Sequence, residues 1–89
     1  MSRTLEQIKL DHERIHTIKT HILATHPVTW EQIMSRRKPK PIADARAEAM
    51  AMIRDRLRWS YPMIGRYFGK DHSTVMYAVE QHNRKREKA

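Results

Sequence analysis

Ser60-Tyr61-Pro62-Met63-Ile64-Gly65-Arg66-Tyr67-Phe68-Gly69-Lys70-Asp71-His72-Ser73-Thr74-Val75 is the stretch on which the fold turns. Ser60 has the chemistry of a helix cap, and Pro62 sits where a first turn has no use for the missing N–H. Ile64 and Phe68 are one turn apart and define an inner face. Gly69 supplies the left-handed residue that ends such a helix. Asp71 or Lys70 then starts a second helix, whose Val75, Ala78, Val79 and His82 follow the 0, 3, 4, 7 spacing of a buried stripe. Two short helices about a glycine turn make a helix-turn-helix by spacing alone. Asp71, His72, Ser73 and Thr74 put four consecutive short polar side chains on the first turn of the second helix, flanked by Arg66 and Lys70. A cap accounts for one of them. The others suit base edges and phosphates, with the positive end of the helix dipole behind them.

Upstream, Ile42 to Arg58 is rich in Ala and Met, with Ile42, Ala45, Ala49, Met52, Ile53 and Leu57 as its expected buried stripe. Before it, Ser35-Arg36-Arg37-Lys38-Pro39-Lys40-Pro41 combines two prolines with four basic residues, the pattern of an extended, solvated, positively charged loop. Thr29 and Gln32 have capping-box spacing, so a short helix is expected over Trp30 to Met34 with Trp30, Ile33 and Met34 inward. Leu5, Ile8, Ile15, Ile18 and Ile22 trace an amphipathic helix from about Leu5 to Ala24, stopped by His26-Pro27. Downstream, Asn83 to Ala89 is charged and expected to fray. No strand-length alternation is visible among the 89 residues, so the expected class is all-α: a small helical domain ending in a helix-turn-helix.

Charge narrows the partners. The chain carries 18 Lys and Arg against 10 Asp and Glu, for a formal net charge of +8. Residues 1–35 are neutral, so the whole excess lies in residues 36–89, which hold 14 of the basic and 6 of the acidic groups. A polyanion site therefore belongs there, and nucleic acid is the first candidate. The absence of cysteine excludes disulfides and thiolate chemistry, and no apolar run exceeds the five residues of Ala49 to Ile53, far short of the roughly 20 residues that cross a bilayer. A cytoplasmic, nucleoid-associated protein is expected. Membrane-surface binding is disfavoured because the amphipathic Leu5 helix is charge-neutral and the basic loop holds two prolines.

The stretch from Ser60 to Val75 resembles the signature of the C-terminal DNA-binding domain of the bacterial replication initiator family, DnaA, which reads S-L-P-x-I-G-x-x-F-G-G-R-D-H-[ST]-T-V. The likeness extends upstream to about Ile15 and downstream to about His82, with one deletion in the turn. It implies base contacts from Asp71, His72 and Ser73 in the major groove, with Tyr61 and Pro62 at thymine methyls. Lys38 matches an arginine that enters the minor groove, and Arg37 stands beside it as a substitute. Thr74, Arg46, Arg54 and Lys70 match phosphate-holding positions, to which the residues themselves add Arg36, Arg37 and Arg66. Three departures alter the pattern: a single glycine in the turn, Lys38 in place of arginine, and Tyr61 in place of leucine. On this reading residues 15–84 form the DNA-binding domain, residues 1–14 extend its first helix, and residues 85–89 are a basic tail.

The implied function is sequence-specific binding of double-stranded DNA at DnaA-box-like sites, in the regulation of replication initiation or transcription. The alternatives are non-specific DNA binding and an adaptor acting through the N-terminal helix, whose stripe suits either the initiator or a second copy as partner. The 89 residues contain no G-x-x-x-x-G-K-[ST] loop, so no ATPase chemistry, cofactor or catalytic residue is expected. His12-Glu13-Arg14-Ile15-His16 matches H-E-x-x-H literally, but it lacks a third ligand at any recognised spacing and reads as solvated helix surface rather than a metal site.

Overall fold

In a computed structural model, which describes residues 4–88, five helices follow one another with short connections: α1 (Leu5–Thr25), α2 (Trp30–Met34), α3 (Lys40–Leu57), α4 (Tyr61–Phe68) and α5 (His72–Lys88). Helix α3 is the axis of the domain and packs against the other four, while α4 and α5 also pack on each other. The described part of the chain is all-α, as the sequence implies.

Local chemistry sets each boundary. Thr4 and Gln7 form a reciprocal capping box at the start of α1, and Thr29 and Gln32 form the expected one at α2. Helix α3 begins at Lys40, two residues before the expected start, because Pro41 falls in a first turn that needs no N–H from it. The basic loop is correspondingly shorter than its prolines suggest. Helix α3 stops at Arg58, which takes the left-handed conformation (φ 60°, ψ 27°). Ser60 caps α4 through Met63 N–H, and Gly69 closes it at φ 67°. Helix α5 continues to Lys88 through the stretch expected to fray, whose last residue, Ala89, lies outside the described residues, and Lys85 Nζ lies 3.2 Å from Asp44 Oδ1 on α3.

Ile18, Ile22, Ile33, Ala45, Ala49, Met50, Ile53, Ile64 and Val75 are essentially inaccessible, and Leu57, Trp59, Phe68 and Val79 close the core around them. The buried surface of α3 is wider than one stripe. Met50 and Ala51 are buried while Met52 is only half-buried, since a helix enclosed by four neighbours has no single inner face. On α1 the expected stripe is cut short: Ile18 and Ile22 are buried, Ile15 is half-buried, and Leu5 and Ile8 stand 77% and 50% exposed. The buried contact of its first half is Asp11, whose Oδ2 accepts a 3.1 Å hydrogen bond from Trp59 Nε1. A sequence pattern of apolar spacing has no means of marking that residue. His12, Glu13 and His16 lie exposed on α1.

Candidate nucleic-acid interface

The helix-turn-helix is held by its turn. The Gly69 and Lys70 N–H groups both donate to the Gly65 carbonyl, the latter over 2.8 Å. Gly65 lies buried in the middle of α4, and a Cβ there would collide with the Lys70 carbonyl and stand 3.5 Å from the His72 nitrogen. Backbone thus packs on backbone where the two helices meet, which only glycine permits. Gly69 has open space around it, so its requirement is conformational rather than steric. One left-handed glycine is enough to reverse the chain and start α5, although the resembled signature has two.

Asp71 caps α5: its Oδ2 accepts a 3.0 Å hydrogen bond from Ser73 N–H. The backbone bond from Ser73, followed by a bond from the Ser73 side chain, holds the Asp71 carboxyl below its ordinary range. It is therefore an anion and an acceptor at neutral pH. Its other oxygen, Oδ1, is 3.8 Å from His72 Nδ1. Asp71, His72, Ser73 and Thr74 are all exposed on the first turn, so the four polar side chains singled out from the sequence share one protruding helix end.

The basic groups gather unequally. Lys70 is half-buried, and its ammonium is pushed below its ordinary value first by burial and then by the positive charges of Arg46, Arg36 and Lys38. Those charges, from the loop and from α3, therefore act on a residue of the turn that leads into α5. Lys38, Lys70, Thr74 and Tyr77 line one groove between α3 and α5. Arg36 and Arg37 are exposed, and Ser35 Oγ accepts from Arg37 N–H at 3.2 Å, which shapes the loop at its start. Arg54 is tied elsewhere, donating to the Trp59 carbonyl over 2.8 Å with its guanidinium 4.6 Å from the Tyr61 ring centroid. That stacking links α3 to the first turn of α4, where Pro62 is exposed beside half-buried Tyr61. Arg66 lies exposed in the last turn of α4, where a cation also favours the helix dipole.

Arg46 has a task that the sequence does not reveal. It is buried, its Nε donates to the Ile33 carbonyl at 2.6 Å, and its Nη2 donates to the carbonyls of Gln32 (3.1 Å) and Ser35 (2.8 Å). The guanidinium satisfies the open C-terminal end of α2 and anchors the start of the basic loop. It is a structural clasp behind the interface, whatever phosphate its remaining edge meets. Tyr77, 66% exposed and one turn beyond Thr74, joins the same face without having been singled out from the sequence, although its spacing of three from Thr74 is a signal that marks it.

The profile of the family described as bacterial DnaA protein helix-turn-helix matches residues 15–81, three-quarters of the chain and all of the geometry just given. The chain belongs to that family. The chromosomal replication initiator protein DnaA of Lactococcus lactis is 36% identical over 76 residues, 84% of this chain and 17% of that protein. DnaA of Mycobacteroides abscessus is 44% identical over 50 residues, 56% of this chain and 10% of its own length. The DnaA of a Thermoanaerobacter strain is 36% identical over 67 residues, covering 75% of this chain. The chain thus spans less than a fifth of the length of these curated relatives. No solved structure matches it. The family is that of a DNA-binding helix-turn-helix rather than a catalytic domain, and no described helix is long and apolar enough to cross a membrane. The DnaA-like features that departed in the signature sit at defined places: the shortened turn at Gly69, Lys38 in the α3–α5 groove, and Tyr61 under Arg54.

Proposed function

We infer that this chain binds duplex DNA sequence-specifically at sites related to the DnaA box, and that it does so without ATP hydrolysis, as a regulator of replication initiation or of transcription. One observation carries the reading: Asp71, His72, Ser73 and Thr74 project together from the start of α5 beside a positive field built by Lys70, Lys38 and Arg36. An anionic acceptor at Asp71 suits a cytosine or adenine amino group, and the imidazole and hydroxyls suit either donors or acceptors on base edges in the major groove. Tyr61 and Pro62, at the start of the helix that packs on α5, extend the contact to thymine methyls. Lys38 enters the minor groove, with Arg37 beside it, and Arg36, Arg54, Arg66, Lys70 and Thr74 meet phosphates. Residues 15–84 are the DNA-binding unit.

Selection from randomised duplexes followed by anisotropy titration tests this. A defined site should emerge, and His72→Ala should lose about 1–3 kcal/mol on it while losing much less on random DNA. Equal losses on both would remove His72 from base reading, and a selection that yields no preferred sequence would reduce the activity to non-specific binding.

The exposure of Leu5 and Ile8, ahead of the family-matched region, supports a second reading in which the first turns of α1 meet a second copy or the initiator. Replacing both by Ser should leave the fold intact and abolish any concentration-dependent association seen by sedimentation. A wild-type chain that stays monomeric at high concentration leaves the initiator alone as the partner to test.

A further inference from the structure

Beyond the helix-turn-helix, the far end of α3 and the last turns of α5 enclose a second concavity, a cleft of about 500 Å³ with Ala51 on its floor. Its polar lining is Arg54, Arg58, Asn83 and Arg86, with Asp55 as the single carboxylate. The guanidiniums of Arg58 and Arg86 and one amide, beside an Arg54 that already donates to the Trp59 carbonyl, outnumber the one carboxylate and leave a concave positive surface with N–H donors, the chemistry of a phosphate cradle. Two further observations pick out Arg58. It occupies the left-handed region at φ 60°, where glycine or asparagine costs least and an arginine side chain adds strain. It also follows Arg54 by four residues, and Arg54 both lines the cleft and lies with its guanidinium on the Tyr61 ring at the start of α4.

We propose that this cleft holds a backbone phosphate of DNA lying outside the recognised box, with Arg58 and Arg86 carrying the contact. The proposal rests on the DNA-binding reading above and adds a flanking contact to it. The scale fits. Lys38 and Arg58 bracket α3 at opposite ends, and some 20 residues at about 1.5 Å rise place them about 30 Å apart, roughly 9 base pairs at about 3.4 Å per pair. A duplex that meets the basic loop at one end of α3 therefore reaches the edge of a short box by the time it meets Arg58.

The test uses the full chain, the selected site, and two duplexes: one limited to about 10 base pairs in a hairpin, and one carrying ten further pairs on each side. Arg58→Gly and Arg86→Gln are measured separately and together by anisotropy across a salt series, with Lys9→Gln, on the exposed face of α1, as the control for net charge alone. Removing one phosphate contact should lower the salt slope by about 0.9, which at 0.15 M salt is about five-fold in affinity. The double variant, which loses the whole of that one contact, should therefore bind the long duplex about five-fold more weakly, with a slope smaller by about 0.9, and bind the hairpin as the wild type does. Because glycine relieves the left-handed strain, Arg58→Gly should melt no lower than the wild type, so its weaker binding cannot be put down to unfolding. Unchanged affinity on the long duplex, an equal loss on both duplexes, or an equal loss from Lys9→Gln overturns the cleft while leaving sequence-specific binding intact. A wild-type chain that binds neither duplex overturns both readings.

Discussion

Gly65→Ala separates two physical effects of opposite sign. Gly65 lies inside α4, and alanine in a helix interior is favoured over glycine by about 0.5–1 kcal/mol, so propensity alone stabilises the variant. The structure opposes this. The new methyl meets the Lys70 carbonyl, a backbone atom fixed by the turn it closes, and not the movable end of a side chain. Overpacking of this kind costs about 1–3 kcal/mol, because the helices must part or the turn must deform. The net expectation is about 1 kcal/mol of destabilisation, which in a domain of this size lowers Tm by roughly 4–8 °C. The displaced element is the start of α5, so affinity for the selected DNA site should fall at temperatures where the variant is still fully folded. Calorimetry and anisotropy titration of the same preparations give both numbers. A Tm that rises by about 4 °C with unchanged DNA affinity would show that the two helices have room to spare, and would refute the close-packed turn.

Arg46→Met keeps the length of the side chain but leaves three carbonyls at the end of α2 without their donor, and should cost about 2–4 kcal/mol in urea unfolding; a cost below about 0.5 kcal/mol would mean that the clasp is dispensable. Replacing Arg37 and Lys38 by Ala should lower the salt slope of DNA binding by roughly one unit for every phosphate no longer neutralised while leaving Tm nearly unchanged, and an unchanged slope would remove the loop from the interface. His82 is pushed below its ordinary value of 6.5, first by burial and further by Arg86, Lys85 and His26, with Glu48 opposing. The folded state therefore binds its proton less tightly than the unfolded chain, so stability is fully present above pH 6.5 and declines as pH falls below it. His82→Gln should flatten the decline below about pH 6.5, and a variant with the same pH profile as the wild type would assign the titration to another group.

How far each part was legible depends on the range of the interaction behind it. The Thr29–Gln32 box, Ser60, Pro62 and Gly69 act through hydrogen bonds and dihedral preferences within three or four residues, so the letters themselves placed helices α2 and α4 and the turn. The clustering of Asp71 to Thr74 was legible for the same reason, since consecutive residues on a first turn cannot be far apart. Charge is additive, so the excess after Ser35 locates the basic side of the chain without any knowledge of how the helices pack. Contacts between distant residues were not legible. Asp11 meets Trp59 across 48 positions, Arg46 reaches back to Ile33, Gln32 and Ser35, and Lys85 lies beside Asp44 across 41 positions, all because of how α1, α2 and α5 sit on α3. Those packings gave Arg46 the work of a clasp, left Leu5 and Ile8 in solvent, and kept the last turns of α5 helical where the composition alone favours fraying. Periodicity reports that a helix has an apolar side. Which part of that side is covered, and which charged groups are drawn beneath the surface, is decided only when a second helix arrives to desolvate them.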